Sequence, residues 1–221
     1  MRRILLALAL LGLPAGLVAA GEKDGDKGKG KDKDKADSGL VAHYFKDPTE
    51  WDGNWKEGEK PAVDPKEFTF REYRYSRVEP LINHLFIKRG WFSVRWVGKV
   101  KLEKGEGKDK VDGPVDVTFE LWCDDGARLF IDGKKLIDDW RPCAEADPES
   151  HRKVTVQLAP GDHKIVVEYF QGESLEQNDK DPAKLYWECA ALKIKRKIIP
   201  AANFFHTDED LEDYEPTAEE E

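Results

Sequence analysis

Asp124 and Asp125 stand side by side, followed by Gly126, at the end of a run in which apolar residues alternate. Neighbouring side chains of an extended backbone point to opposite faces, so two consecutive carboxylates converge on one cation only where the chain leaves ordinary extended geometry. Where they do converge, the chemistry is that of a hard cation. Calcium takes six to eight oxygens at ~2.3–2.6 Å, and a bound sugar can supply two of them as hydroxyls. The other reading is a turn in which the Asp side chains cap backbone amides. Trp140 follows Asp138 and Asp139. An indole beside carboxylates either stacks on a pyranose face while the carboxylates take the hydroxyls, or plugs one end of the fold. Trp51 and Trp55, in Trp51-Asp52-Gly53-Asn54-Trp55, form a second aromatic pair with the same two readings. Arg95 lies inside an alternating run and reads as the structural ion-pair partner of a carboxylate such as Asp132 or Glu168.

Catalytic chemistry finds little footing. There is no Gly-x-Ser-x-Gly, no phosphate-binding glycine loop and no His-Glu-x-x-His. A glycosidase needs two carboxylates ~5–9 Å apart across a cleft. Adjacent aspartates are too close unless a distant partner such as Glu168 or Asp138 joins them, so the expectation is a binding module and not an enzyme. Cys123, Cys143 and Cys189 lack paired Cys-x-x-Cys spacing and the five histidines are scattered, which gives no zinc signature. In an exported chain three cysteines predict one disulfide and one free thiol, with the pairing open.

The elements that must position these residues read as β. Period-two alternation marks Leu40 to Phe45, Trp91 to Val97, and Val115 to Cys123, which puts Val117, Phe119, Leu121 and Cys123 on one face. Arg128 to Ile131 and Lys135 to Ile137 flank Asp132-Gly133, a hairpin turn whose residues tolerate positive φ. Val154 to Leu158 leads through Ala159-Pro160-Gly161-Asp162 into Lys164 to Phe170, and Leu185 to Ile194 closes the set. Glu103 to Lys110 reads as a hairpin loop, Arg141 to Arg152 as a long loop, and Pro80 to Phe86 as a helical turn. Many short strands with regular turn signals predict an all-β antiparallel β-sandwich or barrel.

The two ends differ from this body. Residues 1–20 have a basic start, a short apolar core and small residues before a polar segment, the pattern of a secretory signal peptide. No run approaches the ~18 apolar residues of a membrane span. The expected location is therefore secreted, periplasmic or at the cell envelope. Residues 21–38 are a low-complexity charged linker, in which six Lys balance six acids from Gly21 to Asp37. Residues 39–206 form the domain, and 207–221 a solvated acidic tail. The formal net charge is −9, and −11 without Arg2 and Arg3. From Asp208 to Glu221 there are nine acids and no Lys or Arg, which leaves about −2 for the rest. A near-neutral body lacks the concentrated basic face that nucleic acid requires.

The body resembles the protective-antigen-type, or PA-fourteen, domain. The likeness rests on Phe92-Ser93-Val94-Arg95-Trp96-Val97-Gly98, on Asp124-Asp125-Gly126-Ala127-Arg128-Leu129-Phe130-Ile131-Asp132-Gly133, and on Leu158-Ala159-Pro160-Gly161-Asp162 running into Val166-Val167-Glu168-Tyr169-Phe170. The resemblance implies a barrel-like sandwich used by exported proteins, often to bind carbohydrate. In its sugar-binding members the aspartate pair is joined by a cis peptide and holds calcium, and the loop carrying Trp140 lies near the pair. Those members add an Asn ligand just after the strand that here ends in Phe170. This chain has Gln171 there, a carbonyl donor in its place, with Asn178 further on. The implied ligand set is Asp124, Asp125, Trp140 and Gln171, with Asp124 and Asp125 on the metal. The implied function is lectin-like recognition of a carbohydrate or cell-surface glycan. The rival is a structural or protein-interaction module whose partner is an envelope protein.

Overall fold

A computed structural model describes residues 36–47, 64–87, 90–143, 147–172 and 180–215. They form thirteen strands: β1 (Asp37–Ser38), β2 (Leu40–Lys46), β3 (Glu72–Glu79), β4 (Asn83–Ile87), β5 (Phe92–Leu102), β6 (Val115–Cys123), β7 (Ala127–Ile131), β8 (Lys134–Asp139), β9 (His151–Leu158), β10 (Gly161–Gln171), β11 (Lys180–Cys189), β12 (Ile194–Ile198) and β13 (Phe204–His206). An eight-stranded sheet runs β1-β13-β5-β10-β7-β8, with β2 also on β5 and β3 on β2. A five-stranded sheet runs β12-β11-β6-β9, with β4 on β11. Every pairing is antiparallel. The expected all-β antiparallel sandwich is therefore the observed architecture.

Alternation explains the core. Val94, Trp96, Leu129, Val167 and Tyr169 of the first sheet meet Phe119, Leu121, Leu185 and Trp187 of the second, all essentially buried. Each such side chain contributes ~1.5–3 kcal/mol relative to exposure. Between them, Glu79 takes Tyr44 Oη at 2.7 Å, Arg77 Nε at 2.6 Å and Trp96 Nε1 at 2.5 Å, with His84 Nε2 at 2.9 Å. That carboxylate joins β2, β3 and β5 of one sheet to β4 of the other.

Several expectations are corrected. Pro80 to Phe86 is no helical turn: Asn83 to Ile87 pairs with Lys180 to Lys184 as β4, and exposed Leu85 alternates with the more buried His84 and Phe86. The run Leu185 to Ile194 breaks at Cys189, because Lys193 donates to the Ala190 carbonyl with φ 56° before β12 begins. Glu103 to Lys110 is a crossover, since β5 and β6 belong to different sheets. No disulfide forms, and all three thiols are free and buried. Cys123 lies opposite Ala183 in register. Cys189 is then about 20 Å further along β11, beyond the ~7 Å a bridge tolerates. Cys143 instead donates to the Cys123 carbonyl at 3.3 Å.

The beginning of the acidic tail is not a free solvated segment. Residues 208–211 form a short 3₁₀ turn capped by Thr207. His43 Nε2 reaches the Asp210 carbonyl at 2.9 Å, and Arg95 donates to the Asp213 carbonyl at 2.8 Å. Arg95 also lies 3.5 Å from Glu168, as anticipated, whereas Asp132 faces His163 and the Lys164 amide. This segment buries polar side chains on the outer face of the first sheet. Among the described residues no helix is long and apolar enough to cross a membrane.

Candidate functional site

The loop from β6 to β7 carries Asp124 and Asp125, joined by a cis peptide bond as the resemblance implies. Asp124 N donates to the Pro182 carbonyl at 3.0 Å, and its own carbonyl accepts the Tyr169 hydroxyl. Asp125 is 7% exposed. Its Oδ1 accepts Cys143 N at 2.9 Å and its Oδ2 accepts Gly172 N at 2.7 Å. One carboxylate thus ties the loop after β8 to the end of β10. Burial pushes its pKa up to about 7; the nearby Asp124 and Asp181 carboxylates add to the shift and the two amides oppose it.

Arg152 backs the loop, a part that sequence reasoning missed. It donates to the carbonyls of Cys123 at 3.0 Å, Ser150 at 3.2 Å and Asp125 at 3.2 Å, and its Nε meets Asp139 at 2.7 Å. A guanidinium offers five donors in a rigid fork, which suits a turn whose carbonyls converge. The only signal in the sequence is an arginine at a position where β9 faces inward. Gly126 is the second missed part. A Cβ there would stand 2.1 Å from Phe170 Cε1, so only glycine lets the loop settle on that ring.

Gln171 reaches the aspartate loop through Tyr169, whose hydroxyl also meets the Asp124 carbonyl. It is 1% exposed, its side-chain oxygen meets the Tyr169 hydroxyl, and its Nε2 is buried with no hydrogen-bond partner among the described residues. Trp140 does not join them. It packs on Phe170 at 4.8 Å, whereas Tyr169 and Gln171 alternate to the inner side of β10. Its indole N–H donates to the Pro65 carbonyl at 3.0 Å, and the Arg128 guanidinium lies over the ring at 4.5 Å. One face of the half-buried ring is thus covered by Arg128, and the ring also meets Phe70 at 5.7 Å. Trp51, Trp55 and Asn178 lie outside the described residues.

The donors match calcium in kind, being carboxylates and an amide, but not in number. Among the described residues no group of three or more His, Cys, Asp or Glu side chains is placed to hold a metal ion. The remaining oxygens of a calcium shell would come from a ligand or from water.

Comparison with known proteins agrees with this architecture. The chain is 27% identical over 147 residues to the anti-sigma-I factor RsgI3 of Acetivibrio thermocellus, covering 63% of this chain and 20% of that protein. The solved anti-sigma factor domain-containing protein from Clostridium clariflavum superposes with a TM-score of 0.53 at 21% identity, over 78% of this chain and 48% of that one. A PA14 sugar-binding domain from an RTX adhesin superposes with a TM-score of 0.51 at 12% identity, over 76% and 98%. The chain therefore spans about a fifth of the curated relative and about half of the anti-sigma structure. The PA14 domain itself matches residues 86–200, just over half of the sequence, from the end of β4 through β12, so the chain belongs to the PA14 domain family.

Proposed function

We propose that this protein is an exported, non-catalytic carbohydrate-binding module whose site is the barrel end formed by Asp124, Asp125 and Gln171. The observation that carries the reading is the buried Gln171 Nε2 without a partner among the described residues, on a side chain linked through the Tyr169 hydroxyl to the Asp124 carbonyl of the aspartate loop. Buried donors are nearly always partnered. Sugar hydroxyls donate and accept at once, so a donor linked to a loop of carboxylate acceptors suits a vicinal pair. Asp124 and Asp125 would hold calcium, which would orient two hydroxyls. The sugar-binding adhesin domain supports the reading by its shared fold.

The test is a glycan array probed with the full chain, with and without chelator, and repeated with Asp124→Asn. The expected result is a sugar signal lost in both cases. A silent array overturns the proposal, and a signal indifferent to Asp124→Asn removes the site. The matches to anti-sigma factor proteins favour a second reading, a protein-interaction module of the cell envelope. A silent array together with one envelope protein retained by the wild type would favour it.

A further inference from the structure

Each sheet has an unpaired edge on the same flank. Among the described residues β3 pairs only with β2, and β4 only with β11, so the sandwich is open between them. The opening holds a cavity of about 330 Å³, at the lower end of the ~300–1,000 Å³ of small-molecule sites. Its apolar lining includes Tyr75, Phe86, Trp91 and Phe92, and its basic lining is Lys46 and Arg74.

The aromatic surfaces are held in place. Phe86 stacks on Tyr169 at 5.6 Å and meets Phe92 edge-on at 4.9 Å. Tyr75 stacks on Tyr44 at 4.8 Å. The Trp91 amide donates to the Gln171 carbonyl at 2.9 Å, which fixes that corner of the backbone. Among the described residues the basic side chains share Glu72, which lies 2.5 Å from Arg74 and 3.9 Å from Lys46. Among the described residues, two cations against one carboxylate leave a surplus positive charge beside fixed aromatic faces.

We propose that this seam is a second binding site, for a flat-faced ring that carries a single carboxylate. The ring would lie on the aromatic lining, as apolar C–H faces and other rings do. The carboxylate would meet Arg74, whose planar fork suits it, with Lys46 alongside. A hexuronic acid and an aromatic carboxylic acid share this chemistry. The site stands apart from the aspartate pair: the Tyr169 ring backs Phe86 on one side while its hydroxyl meets the Asp124 carbonyl on the other. The charges are also opposite, so an acidic ring that the seam accepts is repelled by the aspartates.

The experiment titrates the full chain calorimetrically with glucuronate and with 4-hydroxycinnamate, each against its methyl ester. Binding of at least one acid is expected, with about ten-fold preference over its ester and weakening as salt rises from about 0.05 to about 0.5 M. Arg74 is exposed. Arg74→Gln should therefore keep the thermal transition and weaken the acid about five-fold or more, as loss of a charge-assisted contact does. Asp124→Asn should leave acid binding unchanged. Binding of glucuronate alone makes the ligand a sugar acid, of cinnamate alone an aromatic acid, and of both the shared chemistry; each supports the seam. No binding of either acid, equal binding of acid and ester, or indifference to Arg74→Gln overturns it. Loss of acid binding in Asp124→Asn but not in Arg74→Gln also overturns it, and leaves the aspartate site standing.

Discussion

Glu79 offers the sharpest test of how the two sheets are joined. Its carboxylate is 3% exposed and gathers Tyr44, Arg77, Trp96 and His84. Burial alone would raise its pKa, but hydrogen bonds from His84, Trp96 and Tyr44 outweigh this and hold it at about 2 against an ordinary 4.5. A depressed folded-state pKa means that the unfolded chain takes up the proton first. The contribution is thus complete above pH 4.5 and is lost as pH falls towards 2. At ~1.4 kcal/mol per unit, the shift amounts to about 3 kcal/mol. Glu79→Gln puts an amide N–H against donors and should cost ~3–5 kcal/mol near pH 6, the penalty for breaking a buried charged cluster. Urea unfolding of both proteins from pH 6 to pH 2 reads the difference. That gap should narrow by about 3 kcal/mol over the range, because the wild type loses what the variant never had. Glu120 is likewise held at about 2, by Arg196, His151 and Lys153 against burial, but it is common to both proteins and cancels. A gap that stays constant from pH 6 to pH 2 would refute the reasoning.

Gly126→Ala drives a methyl into Phe170 and should lower stability by ~1–3 kcal/mol, read as a fall in melting temperature. Asp125→Ala orphans the buried amides of Cys143 and Gly172. At ~1–3 kcal/mol for each orphaned donor, chemical denaturation should show a loss of at least about 2 kcal/mol. Trp140→Phe keeps the packing on Phe170 and drops only the bond to Pro65. It should cost ~1 kcal/mol and spare any array signal; a lost signal would return the indole to the ligand. A thiol reagent should find no reactive cysteine in the folded protein and all three after denaturation. Each thiol is buried, and burial pushes Cys123 up to about 12.

Strands with one apolar face, such as Val115 to Cys123 and Lys164 to Phe170, announced themselves because a half-buried strand must alternate. Glu72 to Glu79 did not. It is a sheet edge whose Tyr73, Tyr75 and Val78 remain exposed, so no apolar rhythm is demanded of it. The aspartate pair was legible from adjacency alone. Its partners were not, since Cys143 N and Gly172 N are backbone groups that any residue could supply. Trp140 was legible as an unusual residue, but its orientation depends on Pro65 and Arg128, which no local spacing connects to it. Glu79 and Arg152 look like surface charges in sequence, because burial of an ion pair is a property of the assembled sheets.

The pairing of β1 with β13 fixes where Asp37 lies relative to the aspartate loop. Asp37 faces His206, and β13 joins β5 at Lys99 and Val100. Phe92, at the other end of β5, faces Gln171 of the aspartate loop cluster. At ~3.4 Å per residue the two places are about 27 Å apart along one strand. Asp37 therefore stands at the pole of the sandwich remote from the Asp124–Asp125 loop.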